Sequence, residues 1–108
     1  MINFQDFQKI ELRIGTILAA EPIVGSEKLL KLSVDFGEVA PRQVISSIAK
    51  TYKPTSLVGR QFLFVTNLEP RMIMGLESQA MILATENAKG RLVLVKPSKK
   101  IAPGSSLH

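Results

Sequence analysis

Leu30-Lys31-Leu32-Ser33-Val34-Asp35-Phe36 alternates strictly, with an apolar side chain at every even number. A period of two marks a strand with one face in a core and the other in water. Gly37 ends the run. Toward the amino terminus, Pro22 to Gly25 reads as a loop and Glu11–Ala20 as a first strand, on which Leu12, Ile14 and Leu18 share a face. Gly15 inside that strand marks a bulge or a sharp bend. Toward the carboxyl terminus, Arg42–Ile45 is a third, short strand. Ser46 or Ser47 then caps a brief helix through Tyr52, with Ile48 and Tyr52 on one side. Pro54 ends it by steering the preceding residue away from helical angles. Gln61–Val65 is rich in β-formers. Glu69-Pro70 marks a turn, Arg71–Met74 and Gln79–Ala84 read as strands around Gly75, Glu86–Gly90 as a polar turn, and Arg91–Lys96 as the last strand before a polar tail. Short strands at even spacing with one central helix predict a small closed or nearly closed barrel.

The chain has 108 residues, the length of one domain, and a 45% hydrophobic share that supports a folded core. It has no cysteine, which excludes a disulfide framework, a thiolate zinc site and a cysteine nucleophile. The only histidine is His108, so a histidine-based triad or metal site has no material. No phosphate-cradling glycine loop is present, and Asp35 with Glu38 reads as a solvated strand-end pair. The expectation is a protein that is not an enzyme and takes no cofactor and no metal. Met1–Phe7 lacks the basic start and apolar run of a signal peptide, and no stretch has the length of a membrane span. A soluble, cytoplasmic protein is expected.

The net charge of +5 is uneven. Residues 1–40 carry four Lys/Arg against six Asp/Glu, whereas residues 41–108 carry ten against three. A basic half points to a polyanionic partner, and its plain alternative is a soluble surface of high pI. Arg42, Lys50, Lys53, Arg60 and Arg71 supply candidate phosphate contacts, with Lys28 and Lys31 on or before the second strand. Ser46, Ser47, Asn67, Ser78 and Gln79 supply hydroxyls and amides. Each lysine also fits an ordinary wet strand or helix face, and Lys99-Lys100 fits a loose basic tail. Phe62 and Phe64 read as core, Tyr52 as a packing residue, and Met72, Met74 and Met81 as core filler or rim. With one Tyr and no Trp, base stacking is poorly supplied, so a folded RNA read through shape and phosphates fits better than an unpaired strand.

An ordered set of motifs carries a family resemblance. It runs through Glu11-Leu12-Arg13-Ile14-Gly15, Glu27-Lys28-Leu29-Leu30-Lys31-Leu32 and Val34-Asp35-Phe36-Gly37. Arg42-Gln43-Val44-Ile45-Ser46, Ile48-Ala49, Tyr52-Lys53-Pro54 and Leu57-Val58-Gly59 come next. It closes with Asn67-Leu68-Glu69-Pro70-Arg71, Gly75 and Ser78-Gln79-Ala80-Met81. Over roughly residues 4–104 the chain resembles the tRNA-binding domain found at the carboxyl end of many methionyl-tRNA synthetases, as free-standing tRNA-binding proteins and in the endothelial-monocyte-activating cytokine precursor.

The resemblance implies a mainly β, five-stranded OB-fold barrel with short helices and terminal extensions, residues 1–108 forming one tRNA-binding domain. It implies a homodimer that grips the outer corner of tRNA with little preference among tRNAs, alone or beside methionyl-tRNA synthetase. On that analogy Lys28, Arg42, Asn67, Arg71, Ser78 and Met81 match binding-face positions, and Lys31, Lys50 and Lys53 join them as the candidate surface. Ser78 and Met81 would touch the RNA corner through a hydroxyl and an apolar group. Phe4–Ile10 and Val93–Leu107 are the candidate dimer segments. A sister branch, the CsaA-type export chaperones, shares fold and dimer and gives the alternative of binding unfolded preproteins. The family's Ser-x-Gly-Met is here Ser78-Gln79-Ala80-Met81, and an alanine at a position needing positive φ would cost about 1 kcal/mol or more.

Overall fold

A computed structural model describes residues Met1–His108. Strand β1 (Leu12–Pro22) organises it by pairing twice along its length. Its first half runs antiparallel to β4 (Gln61–Val65), from Leu12 opposite Val65 to Thr16 opposite Gln61. Its second half runs antiparallel to β2 (Leu30–Asp35), from Thr16 opposite Asp35 to Pro22 opposite Leu30. β2 then pairs with β3 (Arg42–Ser46), and β4 with β7 (Met81–Ile82), giving the sheet order β3-β2-β1-β4-β7. Two hairpins lie outside this sheet: β5 (Arg71–Ile73) with β6 (Leu76–Ser78), and β8 (Ala84–Glu86) with β9 (Leu92–Leu94). A short helix, α1 (Phe4–Gln8), precedes β1 and buries none of its residues; the Asn3 side chain caps it by accepting from the Asp6 N–H at 2.8 Å.

The alternation of β2 holds, with Leu30, Leu32, Val34 and Phe36 all buried. They join Ile17, Val44, Ile48, Leu57, Phe62, Phe64, Ile82 and Leu94 in one core. Phe36 and Phe64 meet edge to face, centroids 5.1 Å apart. β4 does not alternate: Phe62 to Val65 are all buried. Phe62 and Phe64 face the core, while the Leu63 N–H donates to the Val95 carbonyl and Leu63 lines a cleft with Ile101 and Leu107 on the opposite side. A strand covered on both faces reads as a continuous apolar run.

Several expectations are corrected. Leu18 is exposed rather than sharing a covered face with Leu12 and Ile14. Gly15 and Ile17 face the core, Ile14 is buried on the opposite side beside its partner Leu63, and the register shifts between Ile17 and Ala19, where Leu18 turns to solvent. That bulge lies two residues past Gly15, whose role is close approach: a Cβ there would stand 2.5 Å from Val34 Cγ1 and 2.6 Å from Phe36 Cε1. Residues 46–52 form no helix. Ser46 belongs to β3, opposite Leu30, and the chain after it makes a turn held by Tyr52 N–H to Ile48 C=O at 2.9 Å. Pro54 opens a 3-10 turn (Pro54–Ser56) rather than closing a helix, its missing N–H being harmless at a first helical position. The strands around Gly75 are shorter and differently divided, because Met74 and Gly75, with φ of 51° and 77°, make the two-residue turn of the β5–β6 hairpin. Arg91–Lys96 contracts to Leu92–Leu94.

The polar tail returns along β1. Ile14 N–H donates to Ser105 C=O at 2.9 Å, Gly104 N–H to Ile14 C=O at 2.7 Å, and Leu107 N–H to Leu12 C=O at 2.9 Å. It thereby covers the edge that the first half of β1 would otherwise leave open.

Candidate nucleic-acid interface

The barrel's seam lies between β3 and the β6–β7 segment, and side chains complete it. The Ile45 N–H donates to Ser78 Oγ at 3.0 Å, the Gln43 N–H to Gln79 Oε1 at 2.8 Å, and the Gln79 N–H to Gln43 C=O at 2.8 Å. The Ser78 hydroxyl in turn donates to Ala80 C=O at 3.1 Å. Ser78 is buried, and its hydroxyl both accepts and donates a hydrogen bond within the chain. Ala80 does not have positive φ, since Met74 alone among non-glycine residues does. The alanine in place of the family glycine is therefore unstrained.

Two clefts open beside this seam. One, of about 570 Å³, is lined by Lys28, Lys50 and Arg71 together with Ser26, Ser47 and Met74. Ser26 Oγ shapes its rim by accepting from the N–H groups of Lys28 and Leu29 at 3.4 and 3.2 Å, and Ala49 N–H donates to Lys28 C=O at 3.0 Å. The second, of about 180 Å³, is mostly apolar and is lined by Leu68, Arg71, Ile73, Ala80 and Met81 above Ser78. Arg71 and Ile73 line both, so a cationic cleft passes directly into an apolar one. Lys28, Lys50 and Arg71 form no ion pair, and Met81 is 50% exposed. Glu27 and Glu69 are the acids of the two linings.

The remaining candidates sit differently. Lys31 pairs with Glu21, its cross-strand partner, at 2.6 Å and lines a third cleft with Arg42, Gln43 and Gln79. Arg42 is a clamp. Its Nε and Nη2 hold both Glu38 carboxylate oxygens at 2.8 Å, and its Nη1 donates to Thr66 C=O at 2.6 Å and to Gln79 C=O at 3.3 Å. It also lies over the Phe36 ring, 5.4 Å from the centroid. The bidentate hydrogen bonds from Arg42 hold the Glu38 carboxyl below its ordinary pKa; partial burial opposes them, and the charges of Arg42 and Arg13 reinforce them. The Arg42 pKa is raised by the same hydrogen bonds. Asn67 staples β4 to the amino-terminal segment: Oδ1 accepts from Glu11 N–H at 2.8 Å and Nδ2 donates to Lys9 C=O at 2.7 Å. Lys53 is exposed at the start of the 3-10 turn and lines none of these clefts.

Thus the structure brings together Lys28, Lys50, Arg71, Ser78 and Met81. It sets Lys31 and Arg42 on a neighbouring face and leaves Asn67 and Lys53 apart. The sequence reading missed Leu68, Ile73 and Ser26. The Gly25-Ser26 pair was a legible signal for the last of these, as a turn whose hydroxyl caps the next N–H groups. No helix is long and apolar enough to cross a membrane.

An antiparallel five-stranded barrel organised by one long, twice-paired strand, with clefts beside β2–β3 and the loops around them, is an OB-type barrel. Residues 12–106 match the family model described as "Putative tRNA binding domain". The chain belongs to this tRNA-binding-domain family. It is 50% identical over 108 residues to a methionine–tRNA ligase of Methanothrix thermoacetophila, and 50% identical over 107 residues to that of Chlorobium chlorochromatii. These matches take in 100% and 99% of the chain but only 16% and 15% of the ligases. Among solved structures it is similar to a MetRS-related protein from Pyrococcus horikoshii, with a TM-score of 0.92 and 32% identity, covering 100% of this chain and 98% of that one. It is also similar to the chaperone CsaA from Bacillus anthracis, with a TM-score of 0.90 and 33% identity, covering 100% and 99%.

Proposed function

We propose that residues 1–108 act as one non-catalytic, cytoplasmic module that binds folded tRNA by shape and backbone, without strong preference among tRNAs. It would work as a homodimer, either alone or beside a methionyl-tRNA synthetase. The observation that carries this reading is Arg71, an unpaired cation standing between the Lys28–Lys50 cleft and the apolar cleft at Met81. A phosphate backbone lies along the first while an unstacked nucleotide face rests on the second. Phosphate contacts fix position without reading sequence, which gives tolerance among tRNAs. Membership in the tRNA-binding-domain family supports the ligand. The ligase relatives support the synthetase link, in which a second module raises effective concentration rather than adding chemistry.

The homodimer is supported by an outward apolar surface. Phe4, Phe7 and Ile10 around α1, and Val93, Val95, Ile101 and Leu107 near the carboxyl end, are all exposed. A second copy related by a two-fold axis would cover them. A monomeric mass in sedimentation at micromolar protein overturns the dimer.

Binding to folded tRNA that weakens steeply between low and high salt tests the function. Salt-independent binding, or equal affinity for an unstructured RNA, overturns it. The similarity to the CsaA chaperone, together with the apolar cleft, supports a second reading in which the cleft takes an unfolded preprotein. Tight, salt-insensitive capture of an unfolded apolar peptide that tRNA does not displace would select that reading instead.

A further inference from the structure

A second cationic surface lies apart from the clefts described above. Arg60, Lys96, Lys99 and Lys100 line a shallow cleft of about 260 Å³ with Gly59, Gln61, Pro97 and Ser98. It shares no lining residue with either cleft beside the seam or with the Lys31–Arg42 cleft. All four cations are exposed, none forms an ion pair, and no acid contributes to the lining.

The lysines are not on a loose tail. Gln61, at the start of β4, grips both backbone groups of Ile101, the residue after Lys100. Its Oε1 accepts from the Ile101 N–H at 3.0 Å, its Nε2 donates to the Ile101 carbonyl at 2.6 Å, and the same Nε2 reaches Thr16 Oγ1 at 3.0 Å. Arg60 is fixed as well, with its guanidinium 5.1 Å from the Phe62 ring centroid and Nη1 donating to Ser56 C=O at 3.3 Å. Four like charges held together with no counter-charge repel one another, and a polyanion relieves that repulsion. The lining has no Leu, Ile, Val, Met or aromatic side chain, so it offers a ligand charge and polar hydrogen bonding and nothing to insert into a lipid or a base stack.

We infer that this cleft is a second phosphate-backbone contact for the bound RNA, separate from the Lys28–Lys50–Arg71 groove. It rests on the reading of the chain as an RNA-binding module. Lys96 and Pro97 also line the apolar cleft with Val95 and Ile101, so the patch borders the surface proposed for the dimer. Each protomer of a symmetric pair would then carry a cationic rim beside the shared contact.

The test compares tRNA binding of the intact chain, of Lys96→Gln/Lys99→Gln/Lys100→Gln, and of Lys28→Gln/Lys50→Gln/Arg71→Gln over a salt series. Each lost phosphate contact lowers the slope of log K against log salt by about 0.7–0.9, so the first triple variant should lose about 2–3 from its slope while still binding. An unchanged slope in that variant, with the intact chain binding and the groove variant failing, overturns this contact alone. Failure of the intact chain to bind tRNA overturns the functional reading and this inference together. A photo-crosslinker at Ser98, in an otherwise unaltered chain, should capture tRNA and be outcompeted by excess unlabelled tRNA. This readout does not depend on the oligomeric state of the lysine variant, and absence of capture overturns the contact.

Discussion

Ser78 Oγ stands 3.0 Å from the backbone nitrogen of Ile45 and takes the place of a strand carbonyl at the barrel seam. β3 and β7 do not ladder with each other, so this hydroxyl and the Gln43–Gln79 pair carry the closure. A position that family resemblance assigns to ligand contact is thus also a structural keystone, and a loss of RNA binding on its mutation would have two causes to separate.

Ser78→Ala leaves the buried Ile45 N–H without its acceptor. The expected cost is about 1–3 kcal/mol, with a fall in Tm of about 4–8 °C for each kcal/mol in a chain of this size. Thermal melting checks it. An unchanged Tm with lost tRNA binding would assign the hydroxyl to the RNA instead.

Glu38 and Arg42 give the fold a pH dependence of definite sign. The Arg42 hydrogen bonds depress the folded-state pKa of Glu38 below its ordinary value of 4.5. A depressed carboxyl stabilises above the unfolded value and loses that stabilisation as pH falls through the folded one. The side chains are 23% (Arg42) and 35% (Glu38) exposed, so solvent screens the pair and its contribution is about 0.5–1 kcal/mol. Urea midpoints should therefore fall more steeply below pH 4.5 in the native chain than in Glu38→Gln. Parallel curves would remove the pair from the stability of the barrel.

Met74 occupies the left-handed region with φ of 51°, in a turn where asparagine or glycine is usual. A long side chain there costs about 1 kcal/mol. Met74→Asn should raise stability by about 0.5–1 kcal/mol in denaturant titration. Because Met74 also lines the cationic cleft, a stabilised variant with weaker tRNA binding would mean that the strained side chain is kept for contact with the ligand.

The strands that bury one face were legible because periodicity is local: Leu30 to Phe36 showed its alternation, and the aromatics of β4 showed its place in the core. The helix expected over residues 46–52 failed for a reason no local pattern holds. Ser46 is claimed by its ladder to Leu30, and the few residues left before Pro54 cannot offset the cost of helix nucleation. The bulge at Leu18 was hidden likewise, since it is set by the register of β1 against β2. At the candidate site, charge named the cations but not their partners. Arg42 is held by carbonyls of Thr66 and Gln79, far along the chain, and Asn67 by the backbone of Lys9 and Glu11. Ligand-facing and structural polar residues look alike in sequence until those long-range acceptors are in place.

Arg42 and Arg71 separate the two roles experimentally. Arg42 commits four of its five N–H donors inside the chain, three of them in bonds of 2.6–2.8 Å, and Arg42→Ala would strand the Thr66 and Gln79 carbonyls and release Glu38. Arg71 makes no hydrogen bond or ion pair through its side chain and projects where the two clefts join. Arg42→Ala should therefore lower Tm, and any loss of tRNA affinity should track the loss of fold. Arg71→Ala should leave Tm unchanged, weaken binding to every folded tRNA alike, and lower the salt slope by about 0.7–0.9. Thermal melts alongside filter-binding titrations on two unrelated tRNAs measure all of these. A selective loss for one tRNA after Arg71→Ala would show base readout at this position and contradict recognition through the backbone.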